Sequence, residues 1–323
     1  MAFVVSAVSN LPVAARHRVL VAAGIAPDLL AVAQARVGAE TFGALWLAVA
    51  RELDDEFFGL DSRRMKIGSF ALLCHAMAGC RTVGRALEQA LRGFALYLDD
   101  VQPGLDVQSD VARLTIHNRV VDADARRFAD ETMLVMLHGL ICWLAGRRVP
   151  LLRAAFAHPR PAHADEYRRM FTPDLHFDAA VTAVEFDAAV LAAQATVTTA
   201  SLKAFLRDAP QSVFLKQVAE TAWAEKVRRR LRRGGDWPGI DRVAAELAVS
   251  PATLRRRLHD EGATWQRVKD GLRRDMAVHQ LMRSGRSVAD IAETLGFDDT
   301  SSFHRAFRRW TGAAPSAYRI GEV

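Results

Sequence analysis

The last third of the chain repeats itself. One stretch reads Ile240-Asp-Arg-Val-Ala-Ala-Glu-Leu-Ala-Val-Ser-Pro-Ala-Thr-Leu-Arg-Arg-Arg-Leu258. A second reads Val288-Ala-Asp-Ile-Ala-Glu-Thr-Leu-Gly-Phe-Asp-Asp-Thr-Ser-Ser-Phe-His-Arg-Ala-Phe307. Ile240, Val243, Ala244 and Leu247 pair with Val288, Ile291, Ala292 and Leu295 at a spacing of 48, and Leu254 and Leu258 pair with Phe303 and Phe307 at 49. The second copy therefore carries one extra residue between its two apolar stripes. Self-similarity on this scale means that one supersecondary unit is used twice.

Each copy predicts a short helix, a turn of three or four residues, and a second helix capped by Ser250 or Asp298. That is the layout of a helix-turn-helix, over 240–261 and 288–311. Ala244 and Ala292 are small where two helices must cross closely. Gly296 suits a left-handed turn conformation. Val249 and Phe297 fill the space between the helices. The second helices expose Thr253, Arg255, Arg256 and Arg257 in one copy, and Thr300, Ser301, His304, Arg305, Arg308 and Arg309 in the other. Hydroxyls and guanidiniums of this kind suit base edges and phosphates. Between the copies, Thr264 caps a helix running to Ser284-Gly285, ~30 Å long at 1.5 Å per residue. A spacer of that length sets two recognition helices about one DNA turn, ~34 Å, apart. Double-stranded promoter DNA is the expected partner.

Charge agrees with this. The chain of 323 residues carries a formal net charge of +6. Residues 211–323 hold 21 Lys and Arg against 14 Asp and Glu, so the excess lies entirely there, and residues 1–210 are near neutral. A basic third points to a polyanion or, more blandly, to a solvated basic face. The Arg228–Arg230 and Arg232-Arg233 run admits the same two readings. The preference for arginine over lysine, 38 to 5 in an alanine-rich chain, is assigned no function.

The segment resembles the AraC/XylS-type DNA-binding domain. The resemblance rests on Ala292, Leu295, Gly296, Phe297, Ser301, Phe303, Arg305, Phe307, Gly312, Pro315 and Tyr318-Arg319, with Ala314 departing from the commoner Thr. It implies a transcription regulator, expected to be an activator that works with RNA polymerase.

The first 190 residues read differently. Val13–Ala23 predicts a helix ending at Gly24, and Pro27 opens another. Phe42, Leu45, Trp46 and Val49 share one helix face, as do Val83, Leu87, Leu91 and Phe94 after the Thr82 cap. Val101–Gln108 and Val111–Asn118 alternate as strands around Ser109-Asp110. Ala125–Gly146 is a long, apolar, central helix, followed by strand candidates at Leu151–Ala157 and Ala183–Phe186 and a short helix around Glu166–Met170. The fold class is an α+β N-terminal domain, helices with a small antiparallel sheet, followed by an all-α DNA-binding domain. The expected boundaries are 1–190, a partly helical connector at 191–210, and 211–323.

Residues 12–190 also resemble the arabinose-binding-like effector and dimerisation domain of an AraC subgroup. The motifs are Gly24-Ile25-Ala26-Pro27, Thr82-Val-Gly-Arg-Ala-Leu-Glu-Gln-Ala, Phe156-Ala-His-Pro-Arg-Pro, Glu166-Tyr167 and Phe186-Asp187. The resemblance implies a homodimer and a small-molecule effector, not specifically arabinose. Phe94, Tyr97, Met133, Met136 and His138 are candidates for lining its pocket, against the plainer reading of all five as core.

Other functions find little footing. Gly-rich phosphate loops, GxSxG and HExxH are absent, so no enzyme activity and no cofactor are expected. A Pro-Cys-His-Arg alkyl acceptor is absent too. Cys74, Cys80 and Cys142 form no metal spacing and read as buried free thiols. His158 and His163 flank a Pro-Arg-Pro turn but lack a third metal ligand nearby. The longest near-apolar run, Met133–Ala145, is too short to cross a bilayer, which takes about 20 residues. No membrane association is expected, and the location is expected to be the cytoplasm, with the nucleoid.

Overall fold

The computed structural model describes residues 1–31, 37–210, 213, 223–234, 236–260 and 263–319. Gly235 and Gly262, glycines that punctuate the helical pattern of the last third, lie outside them. The described chain forms two compact units, Ala2–Val19 with Gly43–Gln217, and Met1, Leu20–Phe42 with Val218–Val323. A short piece of the N-terminal sequence thus groups with the C-terminal unit.

The first of these units holds the sheet. Helices α1 (Ala2–Ala7), α2 (Val13–Ala22) and α3 (Ala39–Leu53) come first, the unit boundaries falling within α2 and α3, so that the 3₁₀ turn at Pro27–Ala31 groups with the other unit. Gly24 takes φ 74°, a left-handed residue at the expected end of α2. Helices α4 (Ser69–Met77) and α5 (Val83–Tyr97) follow, and Thr82 caps α5 by accepting the Arg85 N–H. Strands β1 (Val101–Gln108) and β2 (Val111–Asn118) form the hairpin that alternation predicts, with Ser109 at positive φ in the turn.

After α6 (Ala123–Leu144) come β3 (Arg153–Ala155), α7 (Ala164–Met170), β4 (Leu175–His176) and β5 (Thr182–Asp187). The strand order is β1-β2-β5-β3-β4. Every pair is antiparallel except β3–β4, which is parallel, so the sheet is mixed.

Helix α6 is the centre of this unit. From Phe128 to Leu144 every residue is buried, as an apolar run without a polar face requires. Its two buried carboxylates are both engaged. Asp130 accepts hydrogen bonds from Asn118 on β2 (2.7 Å) and from the Thr182 hydroxyl on β5. Glu131 accepts from the Tyr167 hydroxyl on α7. Burial holds the Asp130 carboxyl above the ordinary aspartate range despite these donors.

Helices α8 (Ala189–Ala192) and α9 (Thr199–Arg207) follow the sheet. They pack rather than dangle. Leu202 and Phe205 are buried, and Phe205 stacks on Trp143 of α6 with centroids 4.5 Å apart.

The second unit is helical in its C-terminal part. It comprises α10 (Trp223–Gly234), α11 (Ile240–Glu246), α12 (Pro251–Asp260), α13 (Trp265–Arg283), α14 (Val288–Thr294), α15 (Thr300–Thr311) and a 3₁₀ turn at Pro315–Tyr318. Helix α13 is shared by two cores. Val268 and Leu272 join Val227, Leu231, Val243, Leu254 and Leu258 in the first. Farther along, Ala277, Val278, Leu281 and Met282 are buried on the same helix, which packs against α14, α15 and the last turn.

Candidate nucleic-acid interface

Both helix pairs are built on one local device. After α11, Ala248 N–H donates to Ala245 O and Val249 N–H to Ala244 O, both at 3.0 Å. After α14, Gly296 N–H donates to Glu293 O (2.9 Å) and Phe297 N–H to Ala292 O (3.0 Å). This paired bonding is a Schellman closure, with a left-handed residue at its corner. Ala248 has φ 54° and Gly296 has φ 69°. The buried Ala244 and Ala292 lie one turn before their corners.

The non-helical residues number four in the first turn, 247–250, and five in the second, 295–299. The extra residue moves the second cap. Ser250 Oγ accepts the Thr253 N–H at 3.1 Å, and its counterpart is Asp299, which accepts the Ser302 N–H at 2.7 Å. The expected cap at Asp298 is therefore one residue early, because the insertion falls before the cap and not after it. The Ser302 hydroxyl, and then the Ser302 N–H, hold the Asp299 carboxyl below the ordinary aspartate range.

The cap orients each second helix so that one stripe packs and the other is exposed. Leu254 and Leu258 are buried in α12, and Phe303, Ala306, Phe307 and Trp310 in α15. Arg255 and Arg256 are exposed, Thr253 half-buried. Ser301, Arg305 and Arg308 are exposed, and Thr300 and His304 half-buried. At the spacing of 49, Arg256 and Arg305 occupy the same place in their units, as do His259 and Arg308. His259 is exposed beside Arg256 and had not been singled out from the sequence.

Two of the expected arginines lean on the protein. The Arg257 guanidinium lies 4.3 Å over the Trp223 ring of α10. Its counterpart in the second unit is the buried Ala306, so position 257 lies at the edge of the packed face. Arg309 pairs with Asp270 of α13 at 3.5 Å. Arg305 is positioned differently. Its Nη2 donates to Ser302 Oγ (2.9 Å), whose hydroxyl donates to Asp299 (2.7 Å), the cap itself.

The basic run of α10 is divided. Arg230 pairs with Asp236 (3.1 Å) and Glu246, and Arg242 joins the same two carboxylates at 3.0 and 3.3 Å. Arg230 holds both acids below their ordinary ranges. Arg232 is exposed and Arg228 and Arg229 are partly so, while the Arg233 side chain lies outside the described residues.

The comparisons with known proteins bear on both units. Residues 14–195 match the family described as the arabinose-binding domain of AraC transcription regulator, N-terminal, and residues 243–320 match a helix-turn-helix domain family. The chain belongs to the AraC family of transcription regulators. An ornithine utilization regulator of Pseudomonas aeruginosa is 27% identical, covering 94% of this chain and 90% of its own. An uncharacterised helix-turn-helix-type transcriptional regulator of Mycobacterium bovis is 30% identical, covering 93% and 89%. The crystal structure of the transcriptional regulator CdpR from P. aeruginosa is 24% identical over 96% and 92%, with a TM-score of 0.35. As an AraC-family member the chain is a DNA-binding regulator and not an enzyme.

In the arabinose-binding-like domain of this regulator, the expected pocket residues lie in packed surroundings. Phe94, Met133, Met136 and His138 are buried, and Tyr97 half-buried. His138 Nε2 lies 2.8 Å from Val149 O. His158 and His163 flank Tyr167 in an aromatic cluster with Phe3, Phe156 and Phe177. No group of three or more metal-ligating side chains occurs among the described residues, and no described helix is long and apolar enough to cross a membrane.

Sequence reasoning missed Trp237 and Arg273. The Arg273 guanidinium, half-buried on α13, lies 4.8 Å over the Trp237 ring and 4.7 Å over Phe297, and donates to Gly296 O at 3.0 Å. Burial holds its proton less tightly than an exposed arginine's. The available signal was a Trp-Pro pair just before the first repeat.

Proposed function

We propose that this regulator is effector-controlled and activates transcription as a homodimer together with RNA polymerase. Residues 211–323 dock α12 and α15 in successive major grooves of promoter DNA. Residues 1–190 bind a small molecule and dimerise, and 191–210 connect the two. The observation that carries the DNA-binding part is the equivalence of Arg256 and Arg305. Both are exposed at the same position of a second helix, and the two units share one helix of 19 residues. Thr253, Arg255, Thr300, Ser301, His304 and Arg308 complete the reading faces, with Arg257 and Arg309 at their protein-side edges. The effector part is supported by the match of residues 14–195 to an arabinose-binding domain.

An effector controls DNA binding only if it binds the competent and incompetent states with different affinity. A thermal-shift screen of the full chain tests this. The panel begins with ornithine, which the name of one relative carries, and extends to other amino acids, amines, fatty acids and aromatic acids. A ligand at 100 times its dissociation constant stabilises its domain by about 2.7 kcal/mol. We expect one class to raise the unfolding temperature and to change the affinity for DNA. If no class does so, the N-terminal domain serves assembly alone, a reading favoured by the burial of Phe94, Met133, Met136 and His138.

A further inference from the structure

Helix α13 joins the two helix-turn-helix units through non-helical residues at both ends, 263–264 before it and 284–287 after it. A helix held in this way fixes the distance between two units more firmly than their rotation about its axis. Packing on α13 seats each unit separately, and a contact made directly between the units, away from the axis, fixes their mutual rotation further; the structure has such a contact.

Trp237 belongs to the first unit. It precedes α11 and packs against the first core. Its indole N–H, however, donates to Thr294 O at 3.0 Å, at the end of α14 in the second unit. Its ring also occupies the space in front of the second turn. A Cβ built on Gly296 would stand 2.6 Å from Trp237 Cδ1, so the absence of a side chain at 296 is what lets the ring approach. Arg273 clamps the contact from α13. Its guanidinium covers both Trp237 and Phe297 and donates to the Gly296 carbonyl. Three elements thus meet at one point: the first unit, the shared helix and the turn that aims α15.

We propose that Trp237 and Arg273 are positioning residues for DNA recognition: they lock the rotation of the second unit relative to the first, and so set the one spacing of subsites that both recognition helices can read together. Neither residue needs to touch DNA for this. Arg273 is a cation given over to internal stacking rather than to phosphate.

The test uses the full chain and a duplex obtained by in vitro selection from randomised 40-base-pair DNA. Companion duplexes carry one base pair inserted between the two subsites, or only the first subsite. One inserted pair should cost the parent protein about tenfold or more in affinity, the scale of a lost base contact. In Trp237→Phe, which loses the indole donor, and in Arg273→Met, which loses the guanidinium, that penalty should shrink to about threefold or less. Affinity for the single-subsite duplex should stay as in the parent.

A general loss of structure would instead lower affinity for all three duplexes together and leave the spacing preference unchanged. Either of those results overturns the proposal. A measurement on the intact brace guards against variants that fail to fold. Spin labels at Ala252→Cys and Ser301→Cys, in a Cys80→Ser background, should give one narrow interspin distance without DNA. A broad or multiple distribution would overturn the lock as well.

Discussion

In the first helix-turn-helix unit the corner of the turn is Ala248, and in the second it is Gly296. Both take the left-handed conformation, and both close the same pair of backbone hydrogen bonds. The neighbourhoods explain why the residues differ. Ala248 is exposed and its methyl group meets solvent. Gly296 faces the Trp237 ring, where a Cβ would collide. The same geometry is therefore tolerated with conformational strain in one unit and required to be strain-free in the other. Packing differs in the same sense. The first unit is filled by Leu254 and Leu258 and covered by α10, whereas the second is filled by Phe303, Phe307 and Trp310 and closed by Tyr318 of the last turn.

The contrast breaks most visibly at Gly296. Gly296→Ala adds both the strain of a non-glycine residue at positive φ and a steric clash, together about 2–5 kcal/mol. Urea unfolding followed by tryptophan fluorescence should show the C-terminal transition moving to markedly lower denaturant. A shift no larger than that of an exposed surface substitution would mean that Trp237 does not pack against the turn.

Next in size is the difference between the two proposed reading faces. Arg305 is held by Ser302, which is in turn held by the Asp299 cap, whereas no side-chain partner of Arg256 occurs among the described residues. A pre-oriented guanidinium loses less freedom on binding. Arg305→Ala should therefore weaken binding to the selected duplex by about 1–3 kcal/mol, and Arg256→Ala by less. Titrations at one salt concentration decide the order. Equal losses would show that the cap network does nothing for recognition, and no loss from Arg305→Ala on any sequence would remove it from the interface.

These differences also mark what was legible in the sequence. The repeat, the caps Thr82, Ser250 and Thr264, the hairpin at Ser109-Asp110 and the central apolar helix were legible because each depends on neighbours in the chain. The cap of α15 was misplaced by one residue because a local reading does not say on which side of a cap an insertion falls. The parallel pairing of β3 with β4 is invisible to local pattern, since it is decided by α7 and its loops returning the chain to the sheet. In the proposed binding face, the exposure of Arg256 and Arg305 was legible from helical spacing. The stacking of Arg257 on Trp223, the Arg309–Asp270 pair and the Trp237–Arg273 brace were not, because each joins residues of different helices.

The smallest expected effect tests the other corner. Ala248→Gly removes a methyl group that makes no packing contribution in an exposed position, and it relieves a left-handed alanine that costs roughly 1–2 kcal/mol. Against this, the glycine gives the unfolded chain about 0.4–1 kcal/mol of extra conformational entropy. The balance is a gain of between about 0 and 1.6 kcal/mol, so the same chemical change, alanine against glycine, should stabilise when made at 248 and its reverse should destabilise when made at 296. Thermal unfolding of the two single variants and of the double variant measures this directly. The corners belong to different units and have separate neighbours, so their effects should add within about 0.5 kcal/mol. A destabilising Ala248→Gly would mean that the first turn draws its stability from the alanine itself, and the two units would then share a backbone geometry without sharing the reason for it.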